Sequence, residues 1–154
     1  MALDDDNIAT LSRAPLFNLM DHEALRLIAF AGEHRVLRTG DVLFRRGERA
    51  DGGFVVMKGS FTVEAKDGGE PFVAKPGALI GQAALFARGV RPSTATAREP
   101  STVLRVSPTL MRRVLQEFPR AAQAMHGALS IELSTLSGGL EQVRKLLTAN
   151  DEQR

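Results

Sequence analysis
The 154-residue chain contains no Cys, no Trp and no Tyr. Without cysteine there can be no disulfide and no thiolate metal site, and nothing points to an oxidising compartment. No apolar run approaches the roughly 20 residues that cross a bilayer as a helix. A dominant charge is lacking too: 20 Lys and Arg stand against 18 Asp and Glu, a net charge of +2 that makes no case for nucleic acid. The acidic start, Met1-Ala2-Leu3-Asp4-Asp5-Asp6, is unlike a secretion signal, which is basic and then apolar. A soluble, cytoplasmic protein without membrane contact is expected.

Catalytic patterns are also missing. There is no Gly-x-Ser-x-Gly elbow, no Walker lysine loop and no carboxylate pair beside a candidate pocket. His22, His34 and His126 stand alone, with no ligand partner at metal-binding spacing. No enzyme activity, metal or cofactor is expected.

What is present is an ordinary globular balance, 44% hydrophobic and 25% charged, long enough for one domain over residues 1–154 with its own core. Three zones divide it. Residues 1–32 read as helical: Ile8 and Leu11 begin a helix, Pro15 breaks it, and Asp21 is placed to cap a second helix carrying Ala24, Leu25, Ile28 and Ala29. Residues 36–106 read as short strands between turns: Val42 to Phe44, Phe54 to Met57, the alternating Phe61, Val63 and Ala65, Phe72 to Ala74, Thr94 to Ala97 and Thr102 to Val106. Gly40, Gly47, Gly59 and Gly77 fall in the turns. Closely spaced short strands of this kind build an antiparallel sandwich or barrel. Residues 107–148 read as two helices. Ser107-Pro108 caps and opens the first, with Leu110, Met111, Val114 and Leu115 on one face, and Phe118-Pro119 restarts the chain. In the second, Leu129, Leu133, Leu136, Leu140, Val143 and Leu147 form a heptad seam, which suits either a parallel homodimer or packing on the barrel. The fold class is therefore α+β, an antiparallel β-barrel flanked by N-terminal helices and a C-terminal helix pair.

One segment carries the functional signal. Residues 81–97 supply a glycine entry, a helical turn, a flexible link and then Arg91 before a small-residue strand. A helix start offers unpaired N–H groups to an anion, and arginine adds a planar fork that matches phosphate oxygens in pairs. The alternative for Arg91 is a solvated surface side chain.

The segment resembles the phosphate-binding cassette of the cyclic nucleotide-binding domain family, whose pattern runs Gly-Glu-x-Ala-Leu-x, a link, then Arg-x-Ala-Thr-x-x-Ala. Gly81, Ala84 and Leu85 match the first half; Arg91, Thr94 and Ala97 match the second, without a gap. Gly47, Gly59 and Pro76-Gly77 stand where that family has structural turns, so the resemblance covers nearly the whole chain. It implies an eight-stranded jelly roll and a cyclic AMP or cyclic GMP ligand. The cyclic phosphate would lie against Arg91 and the first N–H groups of the turn. The ribose 2′-hydroxyl would face position 82, and the final helix would fold over the base as a lid. The site would comprise Gly81, Gln82, Ala83, Ala84, Arg91, Pro92 and Ser93.

Two positions depart from the pattern. Gln82 replaces the glutamate, trading a charge-assisted acceptor for a neutral one and weakening binding by about tenfold. Pro92 removes a backbone donor next to Arg91, yet also restricts Arg91 to extended backbone. Neither position selects the base, and Ser93 sits one place beyond the usual hydroxyl. The resemblance implies a sensor that moves its C-terminal helices against a downstream partner protein. The alternatives are a ligand-free interaction and dimerisation module, or the sensor part of a transcription regulator of the catabolite activator type. Direct DNA binding is not expected, since only 7 residues follow Leu147 and no helix-turn-helix pattern is among them.

Overall fold
The computed structural model describes residues 2–65 and 68–136. Two helices, α1 (Ala2–Leu11) and α2 (His22–Ala31), lead in, joined through a 3-10 turn at Phe17–Leu19. Ten short strands follow: β1 (Glu33–Leu37), β2 (Val42–Phe44), β3 (Arg49–Ala50), β4 (Gly53–Lys58), β5 (Phe61–Val63), β6 (Phe72–Ala74), β7 (Leu79–Ile80), β8 (Gly89–Val90), β9 (Ala95–Ala97) and β10 (Ser101–Val106). A second 3-10 turn, Gln82–Leu85, lies between β7 and β8. Helices α3 (Pro108–Glu117) and α4 (Pro119–Leu136) close the described chain.

Eight strands make two antiparallel four-stranded sheets, ordered β1-β10-β4-β7 and β2-β9-β5-β6, and β3 pairs with β8 as a separate ribbon. This is the jelly-roll arrangement with helices at both ends. The β zone begins at Glu33, three residues before the expected start, because the polar Glu33-His34-Arg35 segment is recruited by backbone pairing with β10, Glu33 opposite Arg105 and Leu37 opposite Ser101. Backbone pairing of this kind leaves no mark in hydropathy.

Two cores flank the central strands. Phe44, Phe54, Val56, Phe61, Val63 and Val103 fill the space between the sheets. Val55, Met57, Leu104 and Val106 face the helices, packing with Leu11, Phe17, Ile28, Leu110, Met111 and Val114. Phe54-Val55-Val56-Met57 is thus a continuous apolar run because both faces of β4 are buried.

The helix boundaries follow local chemistry. Ser107 caps α3 as expected, its Oγ accepting from Leu110 N–H at 3.0 Å, and Pro108 opens the helix. Asp21 holds the capping position of α2, but its side chain makes no capping hydrogen bond; only its carbonyl is used, by Leu25 N–H at 3.1 Å. Of the heptad seam, Leu129, Leu133 and Leu136 fall within α4, whereas Leu140, Val143 and Leu147 lie outside the described residues. No described helix is long and apolar enough to cross a membrane.

Candidate functional site
Arg91 is the centre of the site and is only 4% exposed. Its backbone is clamped to the loop between β2 and β3: Arg91 N–H donates to Glu48 O at 2.8 Å, and Gly47 N–H donates to Arg91 O at 2.9 Å. With the backbone held by a ladder and followed by Pro92, which favours extended backbone before it, the side chain has a defined origin. The link expected between the turn and the arginine is therefore not free chain. Gly89–Val90 is β8, paired with Ala50 and Arg49.

The buried guanidinium is supported on three sides. Nη2 donates to Gly52 O at 2.8 Å. The cation lies 4.4 Å from the Phe44 ring centroid and 5.3 Å from that of Phe54, and these two rings stack at 6.0 Å. Such cation–π contacts gain strength when water is excluded. Burial pushes the arginine's pKa below its usual value, Asp51 and Glu48 partly offsetting this and Arg105 and Arg35 adding to it. An arginine nonetheless stays charged inside a protein.

Nε and Nη1 of Arg91 are buried and have no hydrogen-bond partner among the described residues. Leaving a buried donor unsatisfied costs about 1–3 kcal/mol, more when the group is charged. An oxyanion accepting from both atoms would remove that cost through the paired geometry of a guanidinium fork. Gly81 makes room for the fork. Its φ is +79°, and a Cβ there would stand 2.6 Å from Arg91 Nη1. Both facts require glycine at the entry to the turn.

The turn Gln82–Leu85 is closed by Ala84 N–H donating to Gly81 O at 3.1 Å. Its entry residue, Gly81, lies beside Arg91 Nη1. Its far end anchors the cassette: Leu85 is 1% exposed and belongs to the core beneath the helices, with Leu110, Met111 and Val114 of α3. Gly53, at the head of β4, admits this side chain, since a Cβ would lie 2.9 Å from Leu85 Cδ2.

All seven expected site residues line one of two adjacent cavities that share Gly81, Arg91 and Pro92. One, of about 220 Å³, adds Ser93 and is walled mainly by apolar side chains, Phe44, Val63, Phe72, Leu79 and Ile80, with Glu64 at its polar edge. The other, of about 300 Å³, adds Gln82, Ala83 and Ala84. A buried cation with two unpartnered donors thus adjoins an apolar chamber large enough for a flat ring. Among the described residues, none from α3 or α4 lines either cavity, and the side chains of the final helix from residue 128 on, where the expected lid would fall, lie outside them. Helix α4 packs on α3 and on the Phe17–Leu19 turn, and whatever follows Leu136 lies outside the described residues.

Sequence reasoning missed the partners of Arg91. Gly52 contributes only a carbonyl, 39 positions away, and backbone acceptors carry no residue signature. Phe44 and Phe54 read as ordinary core.

The family model for the cyclic nucleotide-binding domain matches residues 34–118. A cyclic nucleotide-binding-like protein from Brucella abortus is 37% identical, the match covering 73% of this chain and 99% of that one, with a TM-score of 0.63. The N-terminal domain of a transcriptional regulator from Streptomyces coelicolor is 28% identical over 85% of this chain and 94% of that one, with a TM-score of 0.76. The regulatory domain of Toxoplasma gondii PKA, a co-crystal with cAMP, shares the fold at 19% identity and a TM-score of 0.70, over 88% of this chain and 51% of that one. The chain matches no curated protein sequence.

Proposed function
The chain belongs to the cyclic nucleotide-binding domain family, and on that premise we propose that residues 1–154 act as one sensor unit for a purine cyclic nucleotide, without catalysis. The observation that carries this reading is Arg91, buried and charged, with two side-chain donors left for an anion. The cyclic phosphate accepts from Nε and Nη1, with Gly81 and the first N–H groups of the Gln82–Leu85 turn, that of Ala83 included, around it; Ala84, whose N–H closes on Gly81 O, contributes to the wall. Gln82 faces the ribose 2′-hydroxyl. Pro92 and Ser93 complete the wall, and the base occupies the apolar 220 Å³ cavity.

Signalling follows from the anchor at the other end of the turn. Leu85 packs with α3, so an anion that holds the turn in one position favours one placement of that helix. Ligand can shift such an equilibrium only by its differential affinity for the two placements. The readout is a partner protein or a second copy of the chain. Pairing through the seam that begins at Leu129 is tested by light scattering on Leu136→Asp with Leu140→Asp, which halves the mass of a seam dimer.

Thermal unfolding with cyclic AMP and cyclic GMP tests the binding reading. At 100 times the dissociation constant, ligand adds about 2.7 kcal/mol, a rise of roughly 5–11 °C for a domain near this size. No shift at millimolar concentration of either nucleotide would overturn it in favour of a ligand-free interaction module.

A further inference from the structure
Among the described residues that line the 220 Å³ cavity, Arg91 is the cation and Glu64 is the carboxylate. Glu64 follows the last residue of β5 and is fixed to Thr94, the residue of the cassette just before β9. Its Oε1 accepts from Thr94 N–H at 2.9 Å, and its own N–H donates to Thr94 O at 3.0 Å. Hydrogen bonding to Thr94, first to its side chain and then to its backbone, holds the carboxyl below the usual range against slight desolvation, with Arg46 assisting. Arg46 is itself tied elsewhere, its Nη2 donating to Ala65 O at 3.1 Å. No ion pair closes on Glu64 among the described residues. The carboxylate is therefore positioned and charged, and its two oxygens have more lone-pair sites than Thr94 uses.

We propose that Glu64 reads the base, and that it selects guanine over adenine. The inference rests on the cyclic nucleotide reading above and adds a specificity residue to it. With the phosphate at Arg91, the base points along the cavity toward Thr94 and Glu64. Arg91 and Thr94 are three residue steps apart, so their Cα atoms lie at most about 11 Å from each other, a span comparable to the reach of a nucleotide from its phosphate to the far edge of a purine. A carboxylate can only accept. Guanine presents N1–H and the exocyclic N2 amine side by side, two donors for one carboxylate. Adenine presents one amine beside the N1 lone pair, which a carboxylate repels. Phe72, 56% exposed at the cavity wall, offers a ring face to either purine and does not discriminate.

The test is calorimetric titration of the full chain with cyclic GMP, cyclic AMP and cyclic inosine monophosphate, the last having N1–H but no N2 amine. The expected order is cyclic GMP tightest, on the order of tenfold over cyclic AMP, with the inosine nucleotide between them. In Glu64→Gln, whose amide oxygen can still accept from Thr94 N–H, the ratio of cyclic GMP to cyclic AMP affinity collapses toward unity. Glu64→Asp, which keeps the charge but shortens the reach, retains part of the preference. Equal affinities in the wild type, or a cyclic GMP preference that survives Glu64→Gln, overturn the role of Glu64 while leaving the sensor reading intact. If none of the three nucleotides binds the wild type, the sensor reading itself falls and takes this inference with it.

Discussion

Arg91 and Gly52 are joined by one hydrogen bond, Nη2 to carbonyl oxygen at 2.8 Å, which seats a buried cation on backbone instead of on a carboxylate. The neighbouring Asp51 is already taken by Arg105, whose Nη2 donates to Asp51 Oδ2 at 2.7 Å and whose Nε donates to Asp51 O at 2.9 Å. The guanidinium is thus positioned without being neutralised by a contacting acid. A site built this way trades resting stability for anion affinity.

Arg91→Met separates those two quantities. Methionine fills much of the same volume against Phe44 and Phe54 while removing the two unsatisfied donors. Replacing buried charge with apolar side chains is often neutral or stabilising. The ligand-free variant is expected to be no less stable than wild type in a denaturant titration, and to show no thermal shift with cyclic nucleotide. A variant that loses more than about 2 kcal/mol would mean that Arg91 is chiefly a structural strut.

Gly81→Ala strikes the same site from the other side. Left-handed backbone costs a residue with a Cβ about 1–2 kcal/mol, and here the added carbon also meets Arg91 Nη1. Stability falls by at least that amount, and nucleotide affinity falls further than stability because the fork is displaced. Equal affinity in the alanine variant, measured by calorimetry, would contradict the cradle.

Much of this was legible in the sequence, and the reasons for the rest are specific. The cassette is local, so Gly81, Leu85 and Arg91 reveal themselves by spacing. Ser107-Pro108 marks a helix start for the same reason. The β3 and β8 strands are two residues each, too short to show any period, and they convert an apparent link into a ribbon. The burial of Arg91 was hidden because arginine is a surface residue by default. Its aromatic supports come from β2 and β4, segments that hydropathy assigns to the core without saying what they face.

Leu85→Ala probes the connection from cassette to helix. Truncating a buried leucine costs about 2–5 kcal/mol. Beyond that loss, ligand should no longer alter hydrogen exchange in α3, although it still protects the Gln82–Leu85 turn. Undiminished protection of α3 amides in the variant would show that the coupling runs through another contact.

The edge strand β1 carries a pH-sensitive pair. Glu33 Oε1 accepts from Arg35 Nε at 2.7 Å, with Arg105 Nη1 3.6 Å from Oε2. That hydrogen bond first, then the charges of Arg35 and Arg105, lowers the carboxyl pKa from 4.5. Because the folded pKa lies below the unfolded one, the contribution is fully present above about pH 4.5 and is lost as pH falls through the folded value. The pair is half-exposed, so the effect is below about 1 kcal/mol. Glu33→Gln should melt slightly below wild type at pH 6, and the two curves should converge in acid. A gap that stays constant with pH would rule out ionisation as its source.

The double burial of β4 bears on how the domain comes apart. Val55 and Met57 belong to one core, Phe54 and Val56 to the other, and the strand pairs with both β10 and β7. Neither core can melt while the other survives, because each would pull six shared residues with it. The domain is therefore expected to unfold in a single all-or-none step, with coincident transitions by different probes. On the proposed binding mode, a nucleotide gripped near Phe44 and Phe54 would slow the opening of amides as distant as those of α2.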